Sequence, residues 1–362
     1  MNKIKILYVM NHFSVGGGEA FCSNLALNLN KNIQVDFAVE SFDEKSFFYQ
    51  QLSAKNIHFY NYNSIKKKHS LLTFFKLFSL MKQGNYQVVH SHRDYFNGFI
   101  LLIAFFAGIK KRISHAHLSK GKTTMAGKIY ENIQKFLILC FATDLLACSQ
   151  ISGKFLYYKN AKFQIINNFI ECDKFVYNIN LRNSIRTKYN ITNKFAVGHV
   201  GRFSSEKNHS FLIDIFSEIH KKNNNSVLLL VGNGPTESSI KQKITALNLT
   251  NNVFFTGFIS NVSDLYQAMD CFVFPSYHEG LGIVAIEAEC TGLPCFISDG
   301  VPEEANIVNT TKISLLKNSK EWAEIILEKT NNFERKDCSL KIKEANYDIK
   351  NIISKLEREY YK

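Results

Sequence analysis

The sequence predicts an α/β chain built from two doubly wound, parallel-sheet domains, and three observations carry that prediction. Short, continuous apolar runs alternate with helical stretches, the series restarts midway, and 362 residues exceed one ordinary core. Runs without polar alternation belong to strands covered on both faces, as in parallel sheets. The first, Ile4–Met10, is rich in β-formers and ends in a polar, Gly-rich loop, after which Ala20–Leu29 has a helical pattern. Val35–Val39, Ile57–Tyr60, Val88–His90, Ile113–Ala116 and Leu145–Cys148 then follow as short strands between helical stretches. The series begins again at Ala196–Val200 and continues through Val227–Val231, Val253–Phe255, Cys271–Phe274 and Pro294–Ile297. The boundary is expected near Phe163–Val176, giving domains at 1–165 and 166–345. Asp348–Tyr361 carries Ile352, Ile353, Leu356 and Tyr360 at helical spacing, so 346–362 reads as a terminal helix able to cross back to the first domain. Two such domains are expected to face each other across a cleft, with ligands beyond the carboxyl ends of the strands.

With 46% hydrophobic residues, both cores can be filled, and four prolines and no repeat leave no stretch that reads as disordered. The net charge of +13 is unevenly placed. Met1–Phe163 carries 21 Lys and Arg against 8 Asp and Glu; the whole chain has 44 and 31, so the remainder holds 23 of each. A one-sided basic half implies an anionic partner. No nucleic-acid motif accompanies it, so a phosphorylated substrate or an anionic membrane leaflet is the better reading. The start, MNKIKILYVM, lacks a signal-peptide cleavage site, and the longest apolar run, Phe99–Ala107, is too short to span a bilayer. The eight cysteines include no C-x-x-C, and Cys22, Cys140, Cys271 and Cys295 sit in apolar runs, suggesting buried, reduced thiols in a cytoplasmic protein.

Four loops after strands carry candidate chemistry. Val15-Gly16-Gly17-Gly18-Glu19 joins the first strand to the first helix, where glycines permit close backbone approach and a helix start offers N–H groups to an anion. It is not G-x-G-x-x-G, so a dinucleotide site is poorly supported; a tight turn is the bland alternative. Gly201-Arg202, followed by Lys207, places two cations beyond Ala196–Val200, suited to a diphosphate or merely solvated. Gly232-Asn233-Gly234-Pro235 reads as a turn. The strongest is Pro275-Ser276-Tyr277-His278-Glu279-Gly280-Leu281-Gly282, leading into a helix that carries Glu287 among Ile283, Val284, Ile286 and Ala288. A carboxylate in such surroundings needs partners, and the hydroxyls of a sugar or ribose supply them.

The segment EGLGIVAIE, with GRFSSEK upstream and GGGE near the start, resembles glycosyltransferase family 4, whose fold is GT-B with two Rossmann-like domains. Asn168-Phe169-Ile170-Glu171 through Phe175 resembles that family's interdomain N-G-I-D…F segment, departing at Phe169 and Glu171. The resemblance covers nearly the whole chain. It implies a retaining, metal-independent hexosyltransferase using a nucleotide sugar, UDP-linked or, as an open alternative, GDP-linked. It implies that Glu287 binds the donor ribose, and that Glu279 with the N–H groups of Gly280, Leu281 and Gly282 holds the sugar. Arg202 and Lys207 then neutralise the diphosphate as the glycosidic bond breaks, and Gly17 and Gly18 line the acceptor side. His117, in Ser114-His115-Ala116-His117, falls where the family places a histidine near sugar and acceptor; simple satisfaction by backbone is its alternative. His90 and His92 form a similar pair, and the i, i+2 spacing on separate strand ends is explained without a metal. No cofactor beyond the donor substrate is expected.

Lys66-Lys67-Lys68 precedes Leu71, Leu72, Phe74, Phe75, Leu77, Phe78, Leu80 and Met81, with Lys76 and Lys82 interleaved. This stretch suits a membrane interface as well as an ordinary crossover helix. Lys110, Lys111, Arg112, Lys120 and Lys122 add charge to the same half. The expectation is a peripheral enzyme on the inner face of a bacterial membrane, extending a lipid-linked saccharide in capsule, exopolysaccharide or O-antigen synthesis. The rival readings are a nucleotide-sugar epimerase and a catalytically inert partner subunit; presence of both cations and both glutamates argues against the latter.

Overall fold

The computed structural model describes residues 3–13, 17–62, 71–118, 121, 123–158, 160–259 and 261–362. Val15, Gly16, Lys66–Lys68, Lys120 and Lys122, named above, lie outside these residues. The chain divides into two units, Met1–Asn168 with Lys350–Lys362, and Phe169–Ile349. Most of the terminal helix Ile349–Tyr361 therefore belongs to the first unit.

The first unit contains β1 (Ile4–Phe13), β2 (Ile33–Phe42), β3 (Phe59–Asn61), β4 (Val88–Ser91), β5 (Lys111–Ala116), β6 (Asp144–Ala147) and β7 (Gln164–Ile165). They form one parallel sheet in the order β3-β2-β1-β4-β5-β6-β7. The second unit contains β8 (Phe195–Val200), β9 (Ser226–Val231), β10 (Val253–Gly257), β11 (Cys271–Phe274), β12 (Cys295–Ser298) and β13 (Thr310–Ile313). Its parallel order is β10-β9-β8-β11-β12-β13. Each sheet reverses its winding direction once, between β1 and β4 and between β8 and β11. At such switch points the loops part and leave a crevice for a ligand.

Burial on both faces explains the unbroken apolar runs. In β9, Val227, Leu229 and Val231 enter one core cluster while Leu228 and Leu230 enter the other. In β11, Phe272 and Phe274 face one side, Cys271 and Val273 the other. Two strands escape the sequence reading for a physical reason. β7 is two residues long, and the edge strand β13, Thr-Thr-Lys-Ile, has no apolar run because only Ile313 is buried. All eight cysteines are free, but Cys140 is exposed rather than buried, because it lies on the outward side of the helix Met125–Phe141. Among the described residues no helix is long and apolar enough to cross a membrane.

Candidate active site

The residues singled out in the sequence divide between the units, with Gly17, Gly18, His90, His92 and His117 in the first and Arg202, Lys207, Glu279, Gly280, Leu281, Gly282 and Glu287 in the second.

In the first unit the helix Gly17–Asn28 starts just beyond β1, on one side of the switch point. A Cβ added at Gly17 or Gly18 would meet nothing within 4 Å, so neither glycine is demanded by packing and the backbone there is open to a ligand. Parallel pairing of β4 with β5 sets His90 opposite Ile113 and Ser91 opposite Ser114. The two i, i+2 pairs consequently merge into one ladder. His92 Nδ1 lies 3.0 Å from His117 Nε2, and His90 Nε2 lies 3.2 Å from His115 Nδ1. Phe21 packs edge-on against His92, His115 and His117. The terminal helix completes the ladder, since the Tyr360 hydroxyl is 2.8 Å from His90 Nδ1 and 2.8 Å from the Tyr8 hydroxyl. Helical spacing alone had marked Tyr360 only as a packing residue.

Burial, reinforced by the neighbouring rings, holds His90, His92 and His115 well below the ordinary imidazole range. His117 is also lowered by burial, with Asp94 pulling the other way. Asp94 Oδ1 accepts the backbone N–H groups of His117 at 2.6 Å and Leu118 at 2.9 Å, which fixes where the ring stands. His92 and His117 border a cavity of about 170 Å³ with Gly18, Glu19, Cys22 and Asp94. His90, His92 and His115 can each offer a ring nitrogen within 4.8 Å of the others, a grouping that their spacing in the sequence did not suggest.

In the second unit the loops after β8 and β11 are stitched together. The Tyr277 N–H donates to the Glu206 carbonyl at 2.8 Å, and Asn208 Nδ2 donates to the Pro275 carbonyl at 3.1 Å. The glycines of Gly232-Asn233-Gly234 do more than turn the chain. A Cβ on Gly232 would lie 2.2 Å from the Gly201 oxygen, and the Asn233 carbonyl accepts the Phe203 N–H at 2.9 Å. That loop is the bed on which the cation loop rests.

Lys207 Nζ donates to both carboxylate oxygens of Glu279, at 2.7 and 2.8 Å, and stands 5.0 Å from the Phe274 ring centroid. Arg202 is exposed on the same loop, and Gly280 is exposed beside Glu279. The half-buried Leu281 leads to Gly282, which precedes the helix Ile283–Cys290 at φ +84°; a Cβ there would also lie 2.9 Å from Val301 Cγ1. Glycine is therefore required at 282 and not at 280, where a Cβ would meet nothing within 4 Å.

The Tyr266 hydroxyl lies 2.9 Å from a Glu287 carboxylate oxygen and 3.0 Å from the Val284 carbonyl, so its single proton is shared between the two acceptors. Burial pushes the Glu287 carboxyl up to about 7, with the Tyr266 bond opposing. Two residues on, Glu289 is fully buried and serves the fold. It accepts the N–H groups of Ile307, Val308 and Asn309 and the Thr310 hydroxyl, tying the helix to the β12–β13 connection. The two carboxylates thus differ sharply. Glu289 is spent on protein donors, while Glu287 has, among the described residues, one protein donor and acceptor capacity left over.

The family described as "Glycosyl transferases group 1" matches residues 182–346. A putative glycosyltransferase of Bacillus subtilis, EpsF, is 31% identical over 333 residues, covering 89% of this chain and 86% of the relative. The UDP-Gal:alpha-D-GlcNAc-diphosphoundecaprenol alpha-1,3-galactosyltransferase of Escherichia coli is 28% identical over 252 residues, covering 66% of this chain and 64% of its own length. The crystal structure of Anabaena Alr3699/HepE with UDP and glucose superposes with a TM-score of 0.80 at 19% identity, over 98% of both chains. With its two parallel-sheet units and GT-B fold, the chain belongs to the group 1 glycosyl transferases.

Proposed function

We propose that this protein moves a hexose or N-acetylhexosamine from a UDP-sugar to a lipid-linked saccharide, with retention of configuration and without a metal, in the assembly of a surface polysaccharide. The observation that carries the reading is the Lys207–Glu279 pair at the β8/β11 switch point, with Arg202 on the same loop. A diphosphate entering that loop offers Lys207 a more highly charged partner than one carboxylate. Glu279, released, then accepts hydroxyls of the donor sugar, and the N–H of the exposed Gly280 and the helix start at Ile283 add donors. Lys207 and Arg202 stabilise the charge that grows on the leaving diphosphate as its bond to the anomeric carbon breaks. The acceptor hydroxyl attacks from the same face, and its proton passes to the departing phosphate oxygen. Glu279 positions the sugar and forms no bond to it. Glu287 accepts the ribose hydroxyls with the oxygen capacity that Tyr266 leaves unused. In the first unit, neutral His117 and the open backbone at Gly17 and Gly18 serve the acceptor side.

Support for the donor and acceptor classes comes from relatives: one similar protein is named for a UDP-Gal donor and a diphosphoundecaprenol-linked acceptor, and one similar structure holds UDP and glucose. The test is thermal stabilisation by UDP, GDP, ADP and their sugar conjugates, with and without EDTA, followed by product analysis. Stabilisation by UDP conjugates that persists in EDTA and is lost in Glu287→Ala supports the reading. Silence toward all nucleotides would favour an inert partner subunit, and conversion of the donor sugar without an acceptor would favour an epimerase.

A further inference from the structure

The helix Met125–Phe141 of the first unit buries mostly polar side chains and exposes mostly apolar ones. Its inward side carries Glu131, Gln134 and Lys135, none more than 7% exposed, beside a single fully buried apolar residue, Ile138. Each has a built partner: Lys135 Nζ is 2.7 Å from Glu131 Oε1 and 4.4 Å from the Phe155 ring centroid, and Gln134 Oε1 accepts the Phe99 N–H at 3.0 Å. Gly98 lets the adjoining helix, Asn97–Phe106, come so close that a Cβ would lie 2.5 Å from the Gln134 carbonyl oxygen. The outward side is mostly apolar, with Lys128 and Asn132 beside the stripe. Met125, Ile129, Ile133, Phe136 and Leu139 form one stripe at helical spacing, each between 46% and 76% exposed. A helix covering a core beneath water buries most of its large apolar side chains, whereas this one buries Ile138 and leaves the stripe outside; rolling it over would break the contacts of Glu131, Gln134 and Lys135.

The neighbours extend the stripe. Phe105 and Phe106 are exposed at the end of Asn97–Phe106, and Phe105 lies 5.3 Å from Phe141. The helix Leu71–Gln83 adjoins in turn, with Phe74 6.3 Å from Phe99, and exposes Leu71, Leu72 and Phe75. Its Leu77 and Met81 are buried, so the stretch first read from the sequence is part core and part surface. The exposed charge around this face is predominantly basic, Asp144 beyond the helix end being paired with Lys111 at 3.4 Å. Between Leu71 and Thr143 the acidic residues are Asp94 and Glu131; the first holds the His117 backbone and the second is buried against Lys135. Lys76, Lys82, Lys110 and Lys128 are exposed.

We infer that this three-helix face docks on an anionic lipid bilayer, its apolar stripe entering the acyl boundary and its lysines lying among the headgroups. Large apolar side chains exposed together on three adjoining helices mark an interaction surface, and the cationic surround selects an anionic occupant. A second copy of the chain is a poor fit, since pairing two such faces brings lysines together with no carboxylate between them. The docking would hold the first unit where a lipid-linked acceptor is embedded. Its purpose thus rests on the proposed function, but binding is measured without donor or acceptor, so either can fail alone.

The test is co-sedimentation of the full chain with vesicles of phosphatidylcholine, alone or with about one third phosphatidylglycerol. The expected result is binding to the anionic vesicles at low salt, weakened by salt, and reduced about tenfold or more in the double variant Ile129→Glu, Ile133→Glu. Both side chains already face water, and retained stabilisation by UDP would report that the second unit is intact. A second pair, Lys76→Glu with Lys128→Glu, should lose binding without any change to the apolar stripe. No sedimentation of the wild type at low salt, or equal binding by the Ile129→Glu, Ile133→Glu variant, overturns the inference. So does a wild-type dimer in analytical ultracentrifugation that the same variant converts to monomer.

Discussion

Lys207 Nζ contacts both carboxylate oxygens of Glu279 across 72 residues of sequence, and neither side chain is more than 22% exposed. The pair links the loops after β8 and β11, the two strands between which the second sheet reverses its winding direction. It occupies the cation that the donor diphosphate is proposed to use, so donor binding must exchange one anion for another.

That exchange separates binding from turnover. Glu279→Gln should leave UDP affinity equal or tighter, because Lys207 is freed, while kcat falls about 100-fold through loss of sugar positioning. Lys207→Ala should weaken UDP binding and lower kcat/KM by about 100- to 1000-fold. Calorimetry with UDP beside steady-state kinetics checks both, and parallel losses of affinity in the two variants would contradict the exchange.

Glu287 should make donor binding depend on pH. Its folded pKa of about 7 lies above the ordinary carboxyl value, so the group favours the fold below about 4.5 and that contribution is lost as pH rises to about 7. Ionised, it is the better acceptor for ribose hydroxyls. UDP-glucose affinity should therefore rise as pH passes through 7, since the donor's diphosphate diester does not titrate there. Glu287→Gln should flatten that dependence and should raise the melting temperature relative to wild type more at pH 8 than at pH 5. Calorimetric and thermal-melt series over that range decide the matter.

Its neighbour should behave in the opposite way. Glu289→Gln keeps the shape but loses acceptor capacity facing three N–H groups and a hydroxyl, and should cost about 2–4 kcal/mol of unfolding free energy. Denaturant melts of the two variants provide the comparison.

The glycines beside Glu279 give a further contrast. Gly282→Ala places a Cβ at φ +84° and 2.9 Å from Val301 Cγ1, and should destabilise by about 1–3 kcal/mol. Gly280→Ala meets nothing, so stability should hold within about 0.5 kcal/mol and any rise in donor KM would report contact with the sugar alone. Unfolding curves and donor KM for both variants measure this.

Much of the fold was legible because a strand buried on both faces must be apolar throughout, and a helix covering it must repeat near every fourth residue. Strands such as Cys271–Phe274 follow from that rule directly. The rule is blind where burial is one-sided or the strand is short, as at Thr310–Ile313 and Gln164–Ile165. Glu287 stood out as a carboxylate in an apolar run, yet Glu289 sits in the same run. Only the donors facing each one separate a group held for the fold from one with oxygen to spare.

The sequence by itself determined two doubly wound domains, a basic first half, and loops bearing cations, glycines and carboxylates, because periodicity, charge and backbone freedom are local properties. Tertiary structure decided the rest. It brought Lys207 to Glu279, closed four histidines and Tyr360 into one ladder, set Gly232 under Gly201, and turned the apolar side of Met125–Phe141 outward. Each depends on strand order and register or on which neighbour claims a helix face. Those are settled by packing across tens of residues, beyond the reach of any local pattern.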